Sequence, residues 1–189
     1  MGMSTTERSA PIAPELLLSL KNGAKRLYID SAYSGRGHLE SCARWQRWNT
    51  WLGVPATVAS SVLAAGAAVS ALTEGAPFVT AVLAGSAAVL NGLRSFLQPD
   101  AKAQAHGVKG NQYLAIRNDA RTFLEIDLKA GLPQAELVST SKELRRRYND
   151  LKQTDPQLIP RGDYESAKRN IEAGESSYTN DPLWQELGD

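Results

Sequence analysis

Two histidines each have a carboxylate close by in the chain, His38 with Glu40 and His106 with Asp100, and such pairs are the raw material of general acid–base chemistry. A working base also needs a pocket and a third group to orient it, and the local sequence supplies neither. Pairing on charged helix surfaces accounts for both. The histidines stand 68 positions apart, Cys42 is the single cysteine, and no Cys/His ligand spacing occurs, so neither a metal centre nor an intramolecular disulfide is expected. There is no glycine-rich phosphate loop and no nucleophile motif, so neither enzymatic activity nor a cofactor is expected. Arg145-Arg146-Arg147 could meet anionic headgroups or a nucleotide, although a run of like charge is ordinarily a solvated helix face. Arg161-Gly162-Asp163 reads as turn chemistry. Asn91 and Arg94 stand out more. They lie three apart at the end of an apolar run, where polar groups face a partner or water, or where an arginine snorkels.

The elements that hold these residues are set by where charge is missing. The 189-residue chain carries 21 Lys+Arg against 20 Asp+Glu, which gives no general electrostatic grip on nucleic acid. None of the basic residues falls within 48–93, and Glu74 is the one charge there, separating uncharged runs of 26 and 19 residues. Crossing a hydrocarbon core takes about 20 helical residues. Both runs qualify. The predicted class is all-α: a two-helix transmembrane hairpin with cytoplasmic N- and C-terminal helices. Its spans are predicted at 51–72 and 77–97, joined by a Thr73-Glu74-Gly75-Ala76 turn. The corresponding segments are 1–47, 48–97, 98–154 and 155–189. Pro77 suits a helix start, whose first-turn N–H has no partner to lose, and Pro55 falls in the first turn of the first span.

A soluble bundle is the competing reading, because 12 of the 46 residues in 48–93 are Ala, five Gly and four Ser. A soluble helix needs polar positions recurring at helical period, and neither run has them. A secretory leader is not expected ahead of 47 largely polar residues, and Met1-Gly2-Met3-Ser4-Thr5-Thr6 fits a myristoylation pattern only formally.

Arg44 and Arg47 precede the first span, Arg94, Lys102 and Lys109 follow the second, and the turn carries no Lys or Arg. The positive-inside rule then predicts a multi-pass protein of the bacterial inner membrane with both termini cytoplasmic. Trp45, Trp48 and Trp51 at the start of the first span and Phe96 at the end of the second would anchor it in the inner headgroup layer, unless they are core aromatics of a bundle. Ala56, Ser60, Ala64 and Ala68 recur every fourth position on the first helix, and Ala84, Ala88 and Gly92 do so on the second. Gly66 and Ser70 form a further small pair. Close approach along small residues holds membrane helices together. The seams serve either the hairpin alone or neighbouring subunits as well. Two helices cannot enclose a path, so conduction would demand a homo-oligomer, with Ser60, Ala64, Ser86, Asn91 and Arg94 as interface or path candidates.

Outside the spans the periodicity predicts helices over 14–27, with Asn22-Gly23 as a break, and over 30–47. A long helix follows from Pro99-Asp100 to about Lys129, with Ala101, Ala105, Val108, Ile116, Ala120 and Phe123 near one face. Gly131-Leu132-Pro133 should end it. A helix over 134–152 carries Leu137, Leu144, Tyr148 and Leu151 at helical spacing, and a short one lies near 164–173 before the tail.

Taken together, these residues resemble the SLATT domain. The likeness is carried by Trp45-x-x-Trp48 followed by Leu52-Gly53-Val54-Pro55-Ala56, then Phe96-Leu97-x-Pro99, and Ala103-x-x-His106 leading to Tyr113. Tyr148 and the Ile159-Pro160 to Tyr164 stretch resemble its helical extension. The resemblance covers roughly residues 20–175, and its specificity lies in the order of the motifs and the two-span layout. It implies a pore-forming or membrane-disrupting effector of a bacterial conflict or antiphage defence system that halts an infected cell. The implied partners are further copies of itself, membrane lipids, and a nucleotide-signalling enzyme or SLOG-type sensor protein, with no direct contact to nucleic acid. The Ala and Gly content of the spans favours assembly. A non-conducting anchor that recruits a partner enzyme to the inner membrane is the alternative.

Overall fold

Pro14 starts the first helix at a position where a missing N–H costs nothing. The computed structural model describes residues 12–70, 77–154 and 158–173, and these are all-helical, with no strand among them. The helices are α1 (Pro14–Ser70), α2 (Pro77–Leu97), α3 (Pro99–Thr122), α4 (Gln134–Gln153) and α5 (Arg161–Glu172). A π-helical turn over Phe123–Asp127 follows α3. The Thr73–Ala76 turn, the N-terminal Met-Gly motif and the tail from residue 174 lie outside the described residues.

The chain divides into two compact units. One comprises residues 1–40 and 107–189, the other residues 41–106. In the first, Leu20, Ala24, Leu27 and Tyr28 of α1 share a core with Ala120 of α3, Phe123 and Leu124 of the π turn, and Leu137 and Leu144 of α4. The π turn has a packing reason. Its wider register, closed by the Leu128 N–H to the Phe123 carbonyl, accompanies the burial of two consecutive large side chains, Phe123 and Leu124. Gly131, at φ +69°, then takes the left-handed conformation that a glycine adopts without penalty, and the chain leaves the helix.

The expected break at Asn22-Gly23 does not form, and α1 runs unbroken for 57 residues. Gly23 is used for space instead: a Cβ there would stand 3.2 Å from the Arg145 guanidinium. A closer approach joins α1 to α3 at Gly35 and Gly110, where a Cβ on Gly110 would lie 3.0 Å from the Gly35 carbonyl oxygen. On α3 the expected apolar face is only partly the buried one. Ile116, Ala120 and Phe123 are buried, but Ala101 and Val108 are exposed, and the stripe continues through Ala103, His106, Lys109 and Tyr113. Polar residues inside the stripe hid its direction from apolar periodicity.

In the second unit α2 occupies the range read as the second apolar helix. It lies within a helical run, Phe78–Asp127, that is long and apolar enough to cross a membrane, and only 6% of its apolar window is buried. Phe78, Val79, Val82, Val89, Leu93 and Phe96 are all exposed, as are Val54, Val58 and Val62 of α1. One residue, Gln98, joins α2 to α3. It has φ +46°, unusual for a residue with a Cβ and more so before proline. Its backbone groups remain bonded, the N–H to the Arg94 carbonyl and the carbonyl to the Lys102 N–H, while Pro99 is fully buried.

Candidate functional site

The polar end of the second unit is built from three elements. On α1, Arg44, Arg47, Trp48, Trp51 and Leu52 recur at helical spacing and line a groove of about 620 Å³. Trp48 is half exposed, Trp51 is 76% exposed, and Leu52 is buried. Arg47 turns back along the helix to donate to the Ala43 carbonyl at 3.4 Å. Trp45 has two cations beside it: the Lys102 ammonium of α3 lies 4.5 Å from its ring centre and the Arg44 guanidinium 5.5 Å. Phe96, on α2, is 84% exposed.

Arg94 of α2 is exposed and reaches across to α1. Its Nε–H donates to Asn49 Oδ1 at 2.9 Å, and its guanidinium passes 3.6 Å from where a Cβ would sit on Gly53. Asn91, paired with Arg94 on sequence spacing, is exposed. Asn49 escaped the sequence reading, although a lone amide inside a charge-free run was a usable signal.

Of the small-residue seam on α1, Ala56 is buried, whereas Ser60 and Ala64 are on the exposed side, and the side chain of Ala68 lies outside the described residues. The buried positions run through Leu52, Ala56 and Ala59. On α2 the buried position is Ala87, while Ala84, Ser86, Ala88 and Gly92 are exposed. Apart from Ala56, the seam positions among the described residues are thus exposed. Five hydroxyls in the second unit are satisfied within their own helices. Thr50, Thr57, Ser60, Ser61 and Ser86 each donate to the carbonyl four residues earlier, at 2.8–3.0 Å. That arrangement lowers the cost of placing a hydroxyl in an apolar medium.

Both histidines are buried. His38 is buried with its ring stacked on Tyr113, centroids 5.6 Å apart, and Tyr113 meets Tyr148 edge-on at 5.8 Å. Burial, and then the neighbouring Tyr148, push the Tyr113 phenol up to about 12. Burial also raises Tyr148 and Tyr33. Glu40 accepts from the Asn170 amide at 3.0 Å and lies 3.6 Å from Arg36. His106 is buried, while Asp100 is exposed.

The arginine run is divided among partners. Arg146 forks onto Glu143 and reaches Asp150, and Arg147 bonds Asp119 at 2.7 Å. The Arg146 hydrogen bond holds the Glu143 carboxyl below its usual range. Arg161 bonds Glu165 within α5, so Arg161-Gly162-Asp163 opens a helix. No group of three or more metal-ligating side chains occurs among the described residues.

No family model matches the chain, and neither a curated protein nor a solved structure matches it.

Proposed function

We propose that this protein is a SLATT-like, membrane-embedded effector of a bacterial conflict or antiphage defence system. In this reading α1 from about Trp51 and α2 form a transmembrane hairpin with both termini cytoplasmic. Several copies assemble through the small-residue seams, and a nucleotide signal or partner protein acting on the cytoplasmic helices opens a hydrophobic constriction until it wets. The observation that carries the reading is the apolar exposure of α2, where large side chains from Phe78 to Phe96 face outward and the Ser86 hydroxyl among them is satisfied by the Val82 carbonyl. Water would penalise that surface by about 25 cal/mol per Å², whereas lipid would not.

Induced expression in bacteria tests it, with fractionation of lysed cells and uptake of an impermeant dye read together. Recovery in the membrane fraction with prompt dye uptake is expected. Recovery in the membrane with intact potential and a co-purifying partner would convert the reading to the anchor. Recovery in the supernatant without detergent would end both.

A further inference from the structure

We propose that the groove on α1 is a binding site for the headgroup of an anionic phospholipid, a proposal that rests on the hairpin reading above. The groove follows one helix face from Arg44 to Leu52, about 12 Å at the helical rise. Its chemistry changes along that length. Two guanidiniums stand at one end, two indoles with their N–H donors in the middle, and an aliphatic side chain at the other end. A phospholipid presents the matching sequence of phosphate, ester carbonyls and acyl chain. The distance also suits a headgroup layer of roughly 5–8 Å together with the first part of the hydrocarbon.

Charge complementarity favours an anionic lipid over a zwitterionic one. The second unit carries Arg44, Arg47, Arg94 and Lys102 against Asp100 and Glu74, and Lys102 is already drawn to the same end by Trp45. Arg47 is exposed, with its Nε on a backbone carbonyl, which leaves its terminal amino groups the right donors for a phosphate oxygen. The groove's volume lies within the range of small-molecule sites, and its indoles are exposed.

The test uses the full chain with Trp184→Phe, so that fluorescence comes from Trp45, Trp48 and Trp51. The protein is reconstituted in equimolar phosphatidylcholine and phosphatidylglycerol, with bromine on the acyl chains of one lipid or the other. Brominated phosphatidylglycerol is expected to quench as though its local ratio to phosphatidylcholine were raised on the order of tenfold, the scale for two arginines at a membrane surface. R44Q/R47Q should bring the two lipids to parity, and R44K/R47K should keep most of the preference. Equal quenching of the parent protein by both lipids, or an unchanged preference in R44Q/R47Q, overturns the headgroup site and leaves the hairpin standing. Quenching by neither lipid overturns the hairpin itself. Loss of the preference in excess inorganic phosphate at constant ionic strength would show a free-phosphate site and also overturn the proposal.

Discussion

Arg94 and Asn49, 45 positions apart in the chain, are joined by a 2.9 Å hydrogen bond that ties α2 to α1 at the polar end of the second unit. The guanidinium lies flat along Gly53, so the charge is positioned by a backbone without a side chain as well as by an amide. An arginine held in this way is a fastening between helices.

A double-mutant cycle with Asn49→Ala and Arg94→Gln measures that fastening. The bond is solvent-accessible, so a coupling of about 1 kcal/mol is expected in the detergent-solubilised protein. Additive single effects would mean the bond contributes nothing.

Ala88 is exposed on α2, so Ala88→Leu should leave the fold of one chain intact and, in the assembly proposed above, wedge neighbouring copies apart. A smaller particle on native electrophoresis, with unchanged helical content, is expected. An unaltered particle size for both Ala88→Leu and Ala64→Leu would remove the seams from any account of assembly.

Gly110→Ala should destabilise the first unit by about 1–3 kcal/mol, because the added methyl meets both the Gly35 carbonyl and Leu39 at 3.0 Å. Gly162→Ala, in α5 with open space around it, should be neutral or stabilising by up to about 1 kcal/mol. Denaturant unfolding of the two variants side by side checks the contrast.

Phe123 is fully buried in the π turn, and Phe123→Ala should cost about 3–5 kcal/mol. A loss below about 1 kcal/mol in the same unfolding assay would show that the π turn does not anchor the core.

Tyr113 predicts a dependence on alkaline pH. Its folded value, about 12, lies above the ordinary 10, so the unfolded chain releases the proton first. The contribution is complete below pH 10 and is lost as pH rises from 10 towards 12, at up to about 1.4 kcal/mol per pH unit. Burial raises Tyr33 and Tyr148 in the same direction. Unfolding curves for the parent and Tyr113→Phe, collected through that window, should diverge in slope. Parallel curves would contradict the shift.

Helices announced by proline starts, long apolar runs or clean periodicity were legible in the sequence: α2 from Pro77, α3 from Pro99, and α4 around Leu137 and Leu144. What stayed hidden depended on tertiary contact. Asn22-Gly23 looks like a break until Arg145 is seen beside Gly23, and the buried stripe of α3 passes through His106 and Lys109, which hydropathy places outside. The aromatic and basic residues of the candidate site could be named from their spacing. The amide that holds Arg94 is marked in the sequence only as the lone amide of its charge-free run, and nothing local pairs Asn49 with a residue 45 positions away.

The joint at Gln98 has a mechanical consequence. With one residue in a left-handed conformation between Leu97 and a fully buried Pro99, there is no slack in the backbone to absorb rotation. Torque applied to the opening turns of α3 would be delivered to the C-terminal end of α2, as through a universal joint, where Arg94 grips the neighbouring helix.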